Sequence, residues 1–463
     1  MGTIEYSRLK SLYKKILTDY VFFCLCNLYI CSDLENFLIL FRIFIYRDRF
    51  MASIAVENIG PLKQTGQIDL KMVNLFIGKQ STGKSTLMKI LCYCRWVEKK
   101  IMTGNDSVLS AYTHNKKFLK ELMQFYRFNE SAFSENSCVI YQGDCVTIYW
   151  DGTRNNARIE RLDHFEKERY NTKLCFIPSE RNLLSAIRNL DRSYRTSDLD
   201  VLFNYILEWD ETRDMYTRTE PKTLTVAPVM EYYFDREKNT DMIRLKATGK
   251  EFSTFYASSG IQSALPVEVL VDYICGMAGK SAPVTKDELY DLLKKFLQRT
   301  PAENDSAVSA EKMNDLPYHL INYQSVQLYI EELEQNLYPE SQWELVRHIV
   351  SSIKKATETT AFNSMLTLTT HSPYVLTALN VLMLASRAFQ KNQQATLNII
   401  PQKYILPENS YGAYYLTEQG DLENILDSDL GMISGMQLDG VSDRVDECIA
   451  ELNAIIYGGE KLT

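Results

Sequence analysis

The chain has 463 residues, 45% of them hydrophobic and 24% charged, a balance that excludes a disordered, collagen-like or disulfide-scaffold protein. Its 51 Lys and Arg stand against 59 Asp and Glu, a net charge of −8, which excludes a general binder of phosphate backbones but leaves room for one basic patch. Ten cysteines lie scattered without paired spacing, the pattern of reduced thiols in a cytoplasmic protein. Cys92-x-Cys94 has no second half-site after it and reads as two buried small side chains.

Of the first 50 residues, 30 are apolar. Two runs dominate, Tyr20–Cys31 and Phe37–Tyr46, each shorter than the roughly 20 residues a membrane-spanning helix needs. No small-residue cleavage site of a secretory signal follows. Met51 opens the ordered pattern that comes next. The expectation is that the working protein starts there, with residues 1–50 a misassigned start or a loosely attached extension; a membrane anchor is the competing reading.

Ile54–Asn58 and Ile68–Leu70 read as short strands around a Gly60-Pro61 turn, and Met72–Ile77 as a strand buried on both faces. That strand runs into Gly78-Lys79-Gln80-Ser81-Thr82-Gly83-Lys84-Ser85-Thr86, followed by the helical Leu87–Leu91. This is the complete phosphate-loop pattern in its strand–loop–helix setting. Gly78 and Gly83 let successive N–H groups converge on phosphates, and the helix adds its N-terminal partial charge. Lys84 is expected to reach the β- and γ-phosphates of ATP, and the Ser85 hydroxyl to ligate Mg²⁺. Lys79 reads as a solvated loop lysine within the nucleotide cradle.

Three further motifs follow in order. Ser258-Ser259-Gly260 enters the apolar helix Pro266–Tyr273 and offers a second anion site, although such a triplet is often only a helix cap. The strand Val326–Ile330 ends in Glu331-Glu332, where open α/β sheets place their chemistry. Neighbouring side chains point opposite ways, so Glu331 is expected to support the Mg²⁺ shell while Glu332 polarises the attacking water. A last buried strand, Leu366–Thr370, delivers His371 to the same sheet edge, where it reads as a sensor of the γ-phosphate.

Together these motifs resemble the ABC-type ATPase heads of the RecF, SMC and OLD-nuclease class, especially bacterial stand-alone AAA family ATP-binding proteins, over most of residues 54–463. The resemblance makes Ser258–Gln262 the ABC signature, Glu331-Glu332 the Walker B end and His371 the switch histidine. Within Glu332–Pro339 the class pattern has Pro and His where Leu333 and Tyr338 stand here, and Glu331 replaces an Asp with a carboxylate one methylene longer. Phe176–Asn182 resembles a Pro-Ala-Glu-Arg motif of the same families, placed to couple nucleotide to an inserted region; a surface Glu180–Arg181 ion pair is the plainer reading. The tail, Tyr415–Thr417 and Leu438–Asp443, is also similar to the C-terminal end of these proteins. OLD-type nucleases append a Toprim domain, but only 92 residues follow His371, and Asp427-Ser428-Asp429 reads as a surface loop.

The expected fold is therefore α/β: a P-loop ABC-type head, its mostly parallel sheet flanked by helices on both sides, with an antiparallel edge near the N-terminus. From Ser85 to Ser258 is 173 residues and from Gly260 to Glu331 is 71, so both gaps hold insertions. The division expected is residues 51–94 for the first part of the core, 95–250 for an inserted α+β arm, and 251–463 for the rest, with a helical insertion at 279–325. The resemblance implies ATP-driven head-to-tail dimerisation or a larger assembly of the chain with itself, ATP on Gly78–Thr86 of one copy being completed by Ser258–Gly260 of another. It also implies a role in DNA repair or antiphage defence, with DNA or a separate effector such as a nuclease as partner and no membrane. The rival expectation is a scaffold that binds ATP tightly, hydrolyses it slowly and holds a partner toxin or nuclease.

Overall fold

The architecture follows from which faces the strands must bury. The computed structural model describes residues 52–104, 106–114, 116–154, 156–187, 200–282, 318–360, 362–427, 429–435 and 447–452. The apolar extension 1–50, most of the 279–325 insertion and the Leu438–Asp443 stretch lie outside the described residues. Among the described residues no helix is long and apolar enough to cross a membrane.

The chain enters through β1 (Ser53–Ile59), β2 (Leu62–Gln64) and β3 (Ile68–Asp69), then β4 (Val73–Gly78). Next come β5 (Cys138–Gln142), β6 (Val146–Asp151), β7 (Arg158–Arg161) and β8 (Asn171–Ile177). After β9 (Lys222–Thr223), β10 (Met230–Asp235), β11 (Thr240–Leu245) and β12 (Glu251–Ser253), the chain continues into β13 (Tyr323–Ile330), β14 (Met365–Thr370), β15 (Tyr411–Leu416) and β16 (Leu422–Asn424). The central sheet has the order β16-β15-β4-β14-β13-β8. Five of its strands are parallel, and only the edge strand β16 runs the other way.

Every residue of β4, β13 and β14 is buried, because helical layers cover both faces. Alternation sorts β4 between two cores. Val73, Leu75 and Ile77 face one with the helices Ser259–Cys275, Pro339–Thr359 and Pro373–Lys391. Phe76 faces the other, with Leu87, Leu91 and Val97 of the helix Lys84–Thr103. That helix is thus sandwiched between the central sheet and a second, antiparallel sheet.

The antiparallel sheet revises the expected layout. Its order is β2-β1-β5-β6-β7, with β3 also on β1, so it stands as its own layer, and the antiparallel edge of the central sheet is the C-terminal β16. Residues 95–250 do not form one arm. The phosphate-loop helix runs on to Thr103, β5–β7 extend the sheet begun by β1, and β8 is an edge strand of the central sheet beside β13. What pairs only within itself is the small sheet β12-β11-β10-β9, which crosses the expected boundary at residue 250 and packs on the central core through Tyr232 and Ile243. The physical reason is that a period-two pattern shows a strand has a buried face but not which open edge it will pair with. Within the small sheet, β9 and β10 are kept apart along the chain by the stretch around Pro228, which has no N–H to give a ladder.

Candidate functional site

Four parallel strands end at one edge. The pairings Thr370↔Ile77, Ile330↔Leu368 and Ile330↔Ile177 bring the C-terminal ends of β4, β14, β13 and β8 together, β4 and β14 running slightly further than β13 and β8. The residues that follow are the phosphate loop, His371, Glu331-Glu332 and Pro178-Ser179-Glu180-Arg181. In a parallel sheet this is the edge where ligands bind.

The loop's glycines are required by contact. A Cβ on Gly78 would sit 2.6 Å from the Leu416 carbonyl oxygen, and one on Gly83, at φ 102°, would sit 2.6 Å from the Leu62 side chain. Ser81 also takes a positive φ of 63°. The Thr82 hydroxyl donates to the Lys79 carbonyl at 2.9 Å, and Lys84 Nζ donates to the carbonyls of Gly78 at 2.9 Å and Lys79 at 2.5 Å. Burial draws the Lys84 ammonium down to about 8, opposed by the charges of Glu332 and Glu334. Ser85 and Thr86 are half-buried in the first helical turn, where no acidic side chain competes for the N-terminal partial charge. Lys79 and Gln80 are exposed, and Lys79 pairs with the exposed Glu418.

Glu331 and Glu332 do point to different environments. Glu331 is buried; its Oε2 accepts the Ser179 N–H at 3.1 Å, while its Oε1 is buried with no hydrogen-bond partner. An orphaned carboxylate oxygen is a fitting ligand for a hard cation such as Mg²⁺. Among the described residues no group of three or more His, Cys, Asp or Glu side chains could hold a metal unaided. Mg²⁺ on Glu331 and Ser85 would therefore complete its shell with phosphate oxygens and water.

Glu332 adopts a left-handed φ of 44°, an uncommon state for a residue with a side chain. Its N–H donates to Thr369 Oγ1 at 3.0 Å. The carboxylate lies 3.8 Å from His371 Nε2. The neighbouring His371 holds it below the usual carboxylate range against partial burial, helped by the charges of Arg181 and Lys84. At neutral pH Glu332 is thus an anion facing the histidine and felt at Lys84.

Arg181 is no surface residue. It is fully buried, with Nε donating to the Ser263 carbonyl at 3.0 Å, Nη1 to Glu331 O at 2.6 Å and Nη2 to Glu332 O at 2.7 Å. One guanidinium therefore ties the ends of β8 and β13 to the signature helix, and only the neighbouring Glu180 is exposed. The apolar strand leading into Pro178 was the available signal that this arginine would be carried inward. Glu334 was not foreseen: its carboxylate accepts the His371 N–H at 2.6 Å and the Thr370 hydroxyl at 2.7 Å.

Ser258 and Ser259 are exposed at the start of the helix Ser259–Cys275, and Gly260 is half-buried. Ser258 occupies the cap position, yet its side chain makes no capping bond, which leaves the hydroxyl available to a ligand. A Cβ on Gly260 would come 2.9 Å from the Asn336 carbonyl oxygen, and Asn336 Nδ2 donates to Ser263 Oγ at 3.0 Å. The signature thus packs on the Glu332–Pro339 loop of its own chain, and among the described residues no hydrogen bond joins it to the phosphate loop. Asp427 Oδ1 takes the N–H groups of Asp429 and Leu430 in an exposed turn, as a surface loop would.

No family model matches the sequence, and no curated protein does. Among solved structures the chain is similar to the SMC head domain from Thermotoga maritima, at 10% identity over 71% of this chain and 91% of that one, with a TM-score of 0.32. It is also similar to an SmcHead bound to the C-winged helix domain of ScpA, at 9% identity over 71% and 91%, TM-score 0.31. A third is the recombination mediator RecF in the RecFOR pathway, at 11% identity over 81% and 98%, TM-score 0.27. Likeness at such scores carries no argument about activity.

Proposed function

We propose that the chain is an ATP-binding, ATP-hydrolysing head of the ABC type that closes head-to-tail around nucleotide. The observation that carries this is the strand order, which sets the phosphate loop, Glu331-Glu332 and His371 on one sheet edge, with Glu332 3.8 Å from His371 and its charge felt at Lys84. Backbone N–H groups of Gly78–Thr86 and the Lys84 ammonium receive the phosphates. Ser85 and Glu331 hold Mg²⁺, which when bound neutralises phosphate charge. Glu332 orients the attacking water, and His371 stabilises charge on the γ-phosphate. Ser258–Gly260, with both serines exposed at the start of their helix, supplies its N–H groups to the nucleotide of a second copy. Loss of the γ-phosphate removes the shared anion and opens the pair. The cycle would serve DNA repair or antiphage defence in the cytoplasm, acting on DNA or a separate effector such as a nuclease.

A slow, ATP-holding scaffold is favoured by one observation, Glu331 where the class pattern has Asp, with Leu333 and Tyr338 as altered neighbours. ATP turnover and mass by light scattering separate the readings, on wild type and Glu332→Gln with and without duplex DNA. The ATPase reading expects turnover by wild type, a loss of about 100-fold or more in Glu332→Gln, and an ATP-locked dimer or larger assembly of the variant. Assembly on ATP without turnover supports the scaffold. Neither turnover nor nucleotide-dependent assembly refutes both.

A further inference from the structure

Glu334 lies two residues beyond Glu332 and bridges two loops. Its Oε1 accepts the His371 N–H at 2.6 Å and its Oε2 the Thr370 hydroxyl at 2.7 Å. Thr370 Oγ1 also accepts the Ser372 N–H at 3.0 Å, and Ser372 in turn caps the helix Pro373–Lys391 by accepting the Tyr374 N–H at 3.1 Å. One carboxylate therefore governs the whole corner where β14 passes into that helix. From the other side the Glu332 N–H is tied to Thr369 Oγ1 at 3.0 Å. The loop bearing Glu332 and the corner bearing His371 are thus cross-linked on either side of the 3.8 Å gap between their side chains. Bonds to an ionised carboxylate are short and directional, so they set position as well as contribute stability.

We propose that Glu334 is a positioning residue for hydrolysis, gripping the His371 N–H and the Thr370 hydroxyl so that His371 stands at its working distance from Glu332 and the γ-phosphate. The assignment rests on the ATPase reading above. A purely structural brace would affect folding and ATP binding together; a positioning residue acts on kcat through His371.

The test uses the full chain as wild type, Glu334→Ala, Glu334→Gln, His371→Ala and the double variant Glu334→Ala/His371→Ala. Turnover, equilibrium binding of a non-hydrolysable ATP analogue and thermal unfolding are measured for each. Glu334→Ala is expected to lower kcat about 100-fold, as an ångström-scale misplacement does, with analogue affinity within about 3-fold of wild type. Glu334→Gln, whose amide oxygen still accepts one of the two bonds, should fall between. In the His371→Ala background Glu334→Ala should cost nothing further, because both changes remove the same contribution. Equal losses in both backgrounds overturn the proposal, as does a kcat unchanged from wild type or a parallel loss of analogue binding. If the alanine variant fails to fold, Glu334→Gln decides by the same criteria. Turnover that falls in His371→Ala but not in the Glu334 variants sinks this proposal alone; no turnover in wild type sinks the ATPase reading and this proposal with it.

Discussion

The helix Lys84–Thr103 carries two charged clusters, and they behave in opposite ways. At its first turn Lys84 is buried beside Glu332 and Glu334 but spends its hydrogen bonds on loop carbonyls. Three turns on, Arg95 and Glu98 are buried with Asp144. Glu98 accepts the Cys145 N–H at 2.8 Å, the Tyr141 hydroxyl at 2.5 Å and Arg95 Nη1 at 3.3 Å. Arg95 Nη1 also reaches Asp144 Oδ2 at 2.6 Å, and Tyr170 donates to the same oxygen. Burial, then the charge of Asp144, pushes the Glu98 carboxyl upward despite Arg95. A Cβ on Gly143 would lie 2.3 Å from the Glu98 carboxylate, so chain and cluster are fitted with no space for a ligand. Buried charge therefore does not by itself mark a site. Arg95 Nε is itself a buried donor without a partner, so the difference lies in packing: the inner cluster is filled by the chain, whereas the first turn of the helix opens beside the exposed Lys79 and Gln80.

The sharpest way to break this comparison is to remove one member of each cluster. Glu98→Ala leaves Arg95 paired with Asp144 but takes the acceptor from the buried Tyr141 hydroxyl and Cys145 N–H, and should cost about 2–5 kcal/mol of folding stability by chemical denaturation. Analogue affinity of the folded fraction should be unchanged. A loss below about 1 kcal/mol would mean water reaches that cluster and the contrast is lost.

Lys84→Met should do the reverse. Losing a charged partner for the phosphates is expected to weaken ATP-analogue binding by about 10- to 100-fold. The melting temperature of the nucleotide-free protein should stay at or above that of wild type, since no buried ammonium remains to be desolvated. A variant that both binds normally and melts early would make Lys84 a structural residue.

The smallest expected effect is a proton count. Free Lys84 at about 8 is half-protonated near pH 8, and phosphates favour its charged form. Binding of the analogue should therefore take up about half a proton at pH 8 and almost none at pH 6.5, read by calorimetry in buffers of different ionisation heat. The stability sign runs the other way. Because the folded value lies below the ordinary 10.5, the unfolded chain binds more protons between those limits. The contribution of this group to stability thus rises with pH from about 8 to 10.5 in wild type, a slope that Lys84→Met should lack.

Much of this protein was legible along the chain because its signals are local. A glycine that must bend, an apolar run long enough for one strand and a carboxylate pair at its end are all set by neighbours within a few residues. The phosphate loop, the buried strands β4, β13 and β14, and the order of Glu331, Glu332 and His371 were read that way, and the structure brings them to one edge. Partner choice between distant segments was not local. The burial of β5–β7 alternates along each strand, but nothing local tells that β1 offers β5 its open edge or that β8 lies against β13. Arg181 and Glu334 carry charge in a sequence where charge ordinarily means solvent. Their roles depend on carbonyls and N–H groups that arrive from 82 and 37 residues away. Only chain packing could put those groups within reach, and with them decide which charges brace the fold and which are left for a ligand.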